Sequence, residues 1–485
     1  MEGNQSEMTD PNLEKLYQER LQRYVTAMRN GTPDRVPIRP FVAEFTSRYC
    51  GLTCQQVTHD YEMAFQAARR CAAEFDWDAV VGNMVYVWTG LTQALGLKYY
   101  AIPGLHVPAE TGFQYLEPSE SQAFMEPDEY DELIADPSRF LFTKWLPRAS
   151  SEIGSPDDPA SYRNNLALVK GGMAMWWYFM AFGTQNELLR KECGSVSAIA
   201  GILKAPMDII ADKLRGYLGL IDDLRERPHK VLEACRALIP HLLQVALMGA
   251  DPNRQVPVTI WMHRGCVPFV SFKHFDEIYW PTLRPIIEAL WSHGHQTLFY
   301  AEGNWNAHLQ AFNDLPAGSI VYHVDRADIG EVHRALGKKF CISGGIPNTV
   351  LAFGNEAEVR DCCKRVIDEV AADGGYILDA SAIIQNDARV ENVRAMTDFT
   401  REYGVYPSHS RNTNGNAIPP DRLDPVWEQM IRGSGNGVPA GMCIPWSEKI
   451  KELPPFPGDP ILFERIWQDL EAFPYLFIWH CLLSF

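Results

Sequence analysis

A chain of 485 residues, 46% of them hydrophobic and with a net charge of -17, has room for one large α/β domain with additions or for two ordinary domains. Binding to a phosphate backbone draws on an excess of lysine and arginine, which this chain lacks, so no nucleic-acid partner is expected. No apolar run approaches the about 18 residues a bilayer span needs, and the polar start MEGNQSEMTDPNLEKLYQER lacks the tripartite pattern of a secretory signal. A cytoplasmic protein with no membrane partner is expected. The 11 cysteines show no repeated CxxC spacing and read as small, reduced core residues.

In chain order, LEKLYQERLQRYVTAMRN predicts an amphipathic helix closed by Gly31 and the turn Thr32-Pro33-Asp34. VPIRPFVAEF predicts a strand with Glu44 near its end, and a helix then leads through Asp76 into the strand DAVVGNM, ending near Asn83. Residues 96–115 alternate and turn like an antiparallel hairpin outside the main sheet. The acidic, proline-containing stretch to Gly154 is partly helical, and SPDDPASY caps a further helix. MAMWWYFMAFG is expected as a buried third strand, followed by a helical region over 187–248 broken near Gly219 and at Arg227-Pro228.

Five strands then follow in a tighter rhythm, VPVTIWMHRG, QTLFYAEG, SIVYHVD, KFCISGGI and GGYILDASAI, each separated from the next by a helix. With the earlier three they make about eight, and such an alternation predicts a (β/α)8 TIM barrel. The expected domains are an N-terminal helical segment over 1–33, the barrel over 34–404, and a C-terminal extension over 405–485. That extension starts in the polar loop PSHSRNTNGNAIPP and is rich in aromatics, so it should pack on the barrel or on another subunit, a homodimer being one arrangement.

The segments PMDIIADKLRGYLGLIDDLRERPHKVLEAC, FDEIYWPTLRPIIEAL and CISGGIPNTVLAFGNEAEVRDCCKRVIDEVAADGGYILDASAIIQNDARVENVRAMTDFTREYG resemble the uroporphyrinogen decarboxylase superfamily. The resemblance runs from about Asp34 to Gly404. It implies a barrel with a cleft at the strand C-termini, and either decarboxylation of a tetrapyrrole or methyl transfer involving methylcobalamin, a zinc ion and thiolate ligands. The chain departs from both patterns. Tyr300-Ala301-Glu302-Gly303 stands where such methyltransferases carry His-x-Cys-Gly, and Asp379-Ala380-Ser381-Ala382 stands where their later Cys falls. Asn83 takes the place of the decarboxylase Asp, and the early arginine motif is echoed only by Arg39 and Arg48-Tyr49.

Alternation puts Tyr300 with Glu302, His323 with Asp325, and Trp261 with His263. Converging from neighbouring strands, His263, Glu302, His323, Asp325 and Asp379 could hold zinc or another borderline metal. Without a metal, Glu302 desolvated beside Trp305 and Tyr300 could serve as a general acid; it equally suits a cap on the helix that starts near Asn304. The candidate catalytic residues are thus Glu302, His263 and Tyr300. Arg264, Asn83, Glu44 and Trp305 are candidates for substrate binding. Three functions stay open: methyl transfer between a small molecule and a corrinoid on a separate protein, with zinc and methylcobalamin as the implied cofactors; decarboxylation or lysis of a non-porphyrin carboxylic acid; and a barrel that binds a ligand without turnover.

Overall fold

Short apolar runs form the strands of the sheet. The computed structural model describes residues 10–81, 87–118, 122–159, 161–413, 415, 425, 438–455 and 457–484. Its centre is a six-stranded parallel sheet in the order β10-β9-β8-β7-β6-β5, made of β5 (Gly201–Lys204), β6 (Val258–Met262), β7 (Thr297–Ala301), β8 (Ile320–Val324), β9 (Cys341–Ile346) and β10 (Tyr376–Ala380). β6, β7, β8 and β10 are buried at every position, as expected of a parallel sheet covered on both faces. Two shorter strands, β1 (Ala79–Val80) and β4 (Val196–Ser197), pair in parallel beside it.

Single hydrogen bonds extend the sheet at both edges. At one, Arg39 N donates to Leu378 O at 3.0 Å and Leu378 N to Pro37 O at 2.9 Å. Ala79 N in turn donates to Ile38 O at 3.2 Å, Val196 N to Asp78 O at 3.0 Å, and Ala200 N to Pro257 O at 2.9 Å. The segment expected as the first strand is therefore an irregular extended stretch joined to β10 by the bridge at Ile38 and to Ile384 beyond it by the bridge at Val42, and Glu44 already precedes the helix Phe45–Cys50. The expected hairpin is present as β2 (Tyr100–Ala101) and β3 (Gln114–Tyr115), paired antiparallel.

Two expectations are corrected. MAMWWYFMAFG is no strand; it lies inside the helix Tyr162–Leu188, whose start is capped by Ser161 accepting from Asn164 N. A continuous apolar run carries no period, so only its length and flanks separate strand from helix. Here the run continues a helix already started at Tyr162 behind the Ser161 cap. The third strand position instead belongs to β4 and β5, within the stretch read as helix. The later helical breaks fall at Gly216, with φ 72°, and at Arg227-Pro228. Gly219 stays helical.

The aromatic tail packs on its own chain. Tyr475, Ile478, Trp479, Cys481 and Leu482 on the helix Pro460–Ser484 are fully buried, and Trp479 Nε1 donates to Ser138 Oγ at 3.0 Å. Trp427 and Phe456 lie outside the described residues, as does part of the loop over 407–420. The Pro228–Gly249 helix, long and apolar enough to cross a bilayer, is largely buried against the helix Trp280–Ser292 and β5.

One buried carboxylate helps to fasten the N-terminal helix Pro11–Met28. Asp78, with no exposed side-chain surface, takes Arg23 Nη1 at 2.6 Å, Arg35 Nη1 at 2.7 Å and the Ile38 N–H at 2.9 Å. Removing one partner of a buried ion cluster strands the others. Asp78→Ala should lose about 3–5 kcal/mol of stability in urea unfolding, and a loss under about 1 kcal/mol would show that the cluster does not anchor the helix.

Candidate functional site

Successive parallel strands all end on one side of the sheet, so the residue at or just after each C-terminus points into a common space. That space is a pocket of about 400 Å³ lined by Lys204 from β5, Trp261 from β6, His263 just after it, Glu302 after β7 and Asp325 after β8. Tyr100, Phe113 and Tyr115 of the β2–β3 excursion close it from above, joined by Arg264 and Phe269. The hairpin thus acts as a roof.

One wall is an ion cluster. The helical turns after β5, Pro206–Ile209 and the π-wound Ile210–Arg215, carry Asp208 and Asp212, both buried. Asp208 accepts from the backbone N–H groups of His263 (2.8 Å) and Arg264 (3.0 Å) and from Tyr279 OH (2.8 Å). Asp212 receives Lys204 Nζ at 2.7 Å, His263 Nε2 at 3.0 Å and Arg264 Nε at 3.0 Å. Arg264 also reaches Glu117 at 2.9 Å. Burial opposes charge on Asp212, but His263, Lys204 and Arg264 together hold its carboxyl well below the usual range. Burial likewise depresses the His263 imidazole, and the charges of Asp212 and Asp208 overcome it, leaving its pKa raised. Behind this wall burial holds the Lys213 amine far below its ordinary value; it sits against the rings of Tyr99 and Tyr100.

The opposite wall carries two carboxyls. Trp261 Nε1 donates to Glu302 Oε2 at 2.7 Å, and Asp325 Oδ2 accepts the Gly303 N–H at 2.8 Å. Gly303 has φ 94°, and a Cβ there would stand 2.7 Å from Cys266 Sγ, so glycine is required between the two acids. Burial first, and then the nearby Glu302 charge, raise the Asp325 pKa against the Gly303 hydrogen bond. Asp325 therefore holds its proton to higher pH than an exposed Asp.

The remaining candidates fall elsewhere. Tyr300 is fully buried beneath the pocket, stacked between Trp261 at 4.0 Å and His323 at 4.3 Å, so it does not reach the mouth as a catalytic group. His323 is a satisfied core histidine: Nε2 lies 2.9 Å from Ser381 O and Nδ1 3.1 Å from Ser343 Oγ, and burial with the Arg39 charge holds its pKa well below the ordinary value. Asp379 is paired with Arg39 at 3.2 Å and accepts from Phe41 N at 3.1 Å. Trp305 packs outward against Phe299 and Tyr279 and lines no part of the pocket. Glu44 is buried beside Gly112 under the roof; burial pushes its carboxyl up to about 7. Asn83 lies outside the described residues.

The five proposed metal ligands thus divide into three separate groups. Among the described residues no three His, Cys, Asp or Glu side chains gather as a metal site would need. His263 is committed to Asp212, and His323 to Ser381 and Ser343, so this donor set does not fit zinc. The residues missed by sequence reading are Lys204, Asp208, Asp212 and Glu117. Two aspartates four apart immediately after a strand ending in lysine share a helical face, and that pattern could have found three of them.

Residues 184–403 match the family model for Uroporphyrinogen decarboxylase (URO-D). No curated protein sequence matches the chain. A solved methyltransferase from Methanosarcina mazei is similar at 14% identity over 79% of this chain and 98% of its own, with a TM-score of 0.51. At that identity the likeness shows the fold alone.

The imidazolium–carboxylate pair stabilises the fold below the ordinary histidine pKa, and its contribution fades as pH rises through the raised folded value. In an NMR titration His263 should become neutral above pH 6.5, and Asp212→Asn should move that midpoint down by a unit or more. A parent midpoint at or below 6.5 would remove the pair.

Proposed function

Starting from residues 184–403 as a domain of the uroporphyrinogen decarboxylase family, we propose that the chain is an enzyme that takes a methyl group from a small methylated molecule, with Asp325 protonating the atom left behind. The hydrogen-bonded run from β10 through residues 37–39 and β1 to β4, continued along the chain past Ala200, whose N–H meets Pro257 O beside β6, is read as closing a (β/α)8 barrel around that pocket. The observation that carries the reading is the paired carboxyls Glu302 and Asp325 in an aromatic-walled pocket of about 400 Å³ at the strand C-termini. A corrinoid carried by a separate protein would supply the nucleophile that accepts the methyl group.

This chain's own part is binding and proton supply. Tyr100, Phe113, Tyr115 and Trp261 exclude water and stack on the donor. Glu302, oriented by the Trp261 indole, accepts a hydrogen bond from it. Asp325, whose pKa burial raises, gives its proton to the departing oxygen or nitrogen as the methyl bond breaks. The Methanosarcina mazei protein that shares this fold is a methyltransferase, and methyl transfer is the reaction proposed here on that likeness of fold. Lys204 and Arg264 at the same pocket favour a second reading, decarboxylation of a carboxylic acid that they anchor.

Asp325→Asn should lower kcat by roughly 100-fold or more for a donor with a poor leaving group, and far less for an activated one. Activity should fall as pH rises through the Asp325 pKa, since the acid form is the working one. Equal losses with both donors would exclude Asp325 as the acid. Release of CO2 from a carboxylic acid, with no demethylated product from any methylated donor in the presence of a corrinoid protein, would select the second reading.

A further inference from the structure

An apolar groove of about 1090 Å³ runs between the helix Tyr162–Leu188, the helix Pro460–Ser484 and the end of the helix Pro228–Gly249. Met173, Trp176, Trp177 and Phe473 in its walls are about half exposed or more, which is unusual for side chains of this size on a soluble surface. A second apolar cavity of about 210 Å³ follows β5. The two share Phe179, Phe182, Ala200, Val245, Gly249 and His480 as a common neck.

The inner cavity ends at Lys204 and Trp261, which also line the polar pocket. It touches both Leu203 and Lys204, neighbours that point to opposite faces of β5. Its lining therefore reaches both faces of that strand. An apolar groove, a neck and a polar pocket thus lie in series. Lys204 stands at the junction, and Asp212 at 2.7 Å occupies one of the three donor directions of its ammonium.

We infer that the pocket takes an amphiphile, with an anionic head at Lys204 and Arg264 and an aliphatic chain running through the neck into the groove. This rests on the polar pocket being the substrate site. It also gives the C-terminal helix a role, because Leu476, Phe477, His480 and Leu483 supply walls of the two cavities. Apolar walls hold few waters, so each methylene that enters leaves water for carbon contacts, and binding should tighten about fourfold per added CH2 until the chain fills the path.

The test is calorimetric titration of the full chain with straight n-alkanoates from butanoate to dodecanoate, each below its micelle concentration. A Kd falling about fourfold per methylene is expected. Gly249→Leu places a side chain in the neck, where the nearest atom to a Cβ is Ala200 O at 3.9 Å; it should weaken dodecanoate at least tenfold and leave butanoate unchanged. Gly172, on the groove with nothing within 4 Å of a Cβ, provides a second plug as Gly172→Leu should the first variant fail to fold. A flat length profile, or unchanged dodecanoate binding in a folded plug variant, overturns the inference. So does a dimer that dissociates on Gly172→Leu without change in binding, because the groove is then a contact between copies. Turnover of short donors beside a flat profile removes the amphiphile and leaves the reaction; a steep profile with no methyl transfer supports the amphiphile and removes the reaction.

Discussion

Two buried carboxylates immediately after β5 set the geometry on which the pocket depends. An ionised carboxylate away from water is tolerated only when cations and N–H groups surround it. Asp208 meets that demand with the backbone at the end of β6 and a tyrosine from the helix beyond it. Asp212 meets it with the lysine that ends β5 and the histidine and arginine that follow β6. The same contacts that neutralise the two acids therefore fix where Lys204, His263 and Arg264 stand. His263 belongs more to this framework than to the chemistry, since its Nε2 is turned to Asp212 and away from open space.

The opposite wall is held in a different way. Trp261, Tyr300 and His323 stack across three neighbouring strands beneath the pocket, and register places them side by side, Trp261 opposite Tyr300 and Tyr300 opposite His323. This aromatic floor aims the Trp261 indole at Glu302 and keeps water from below. Asp325 lies above the floor with the Gly303 N–H on one oxygen. The two acids thus differ in surroundings, one holding the Trp261 indole N–H and the other the Gly303 N–H.

Much of the fold was legible because parallel strands covered on both faces read as short unbroken apolar runs, as in TLFYA and IVYHV. The same feature misled at MAMWWYFMAFG, where an apolar run without period belongs to a half-exposed helix that borders a groove. At the site, strand ends located Glu302, Asp325, His263 and Arg264, since position in a parallel unit follows from chain order. It could not say which of those side chains would find a partner in the core. His323 and Asp379 share the strand-end pattern, yet Ser343 and Ser381 satisfy His323, and Arg39 pairs with Asp379, in the interior.

From sequence alone came the α/β class, the superfamily resemblance, the loss of the thiolate motif at Tyr300-Ala301-Glu302-Gly303 and the acids near the mouth, because these depend on local pattern and on residue identity. Tertiary structure decided the rest: that Asp208 and Asp212 tie β5 to β6, that the hairpin roofs the pocket, that the five expected metal ligands lie in three separate groups, and that the C-terminal helix walls a groove leading to Lys204. Each of those depends on residues far apart in the chain meeting in a low-dielectric interior, where a charge without a partner is costly, and pairing across such distances leaves no periodic mark in the sequence.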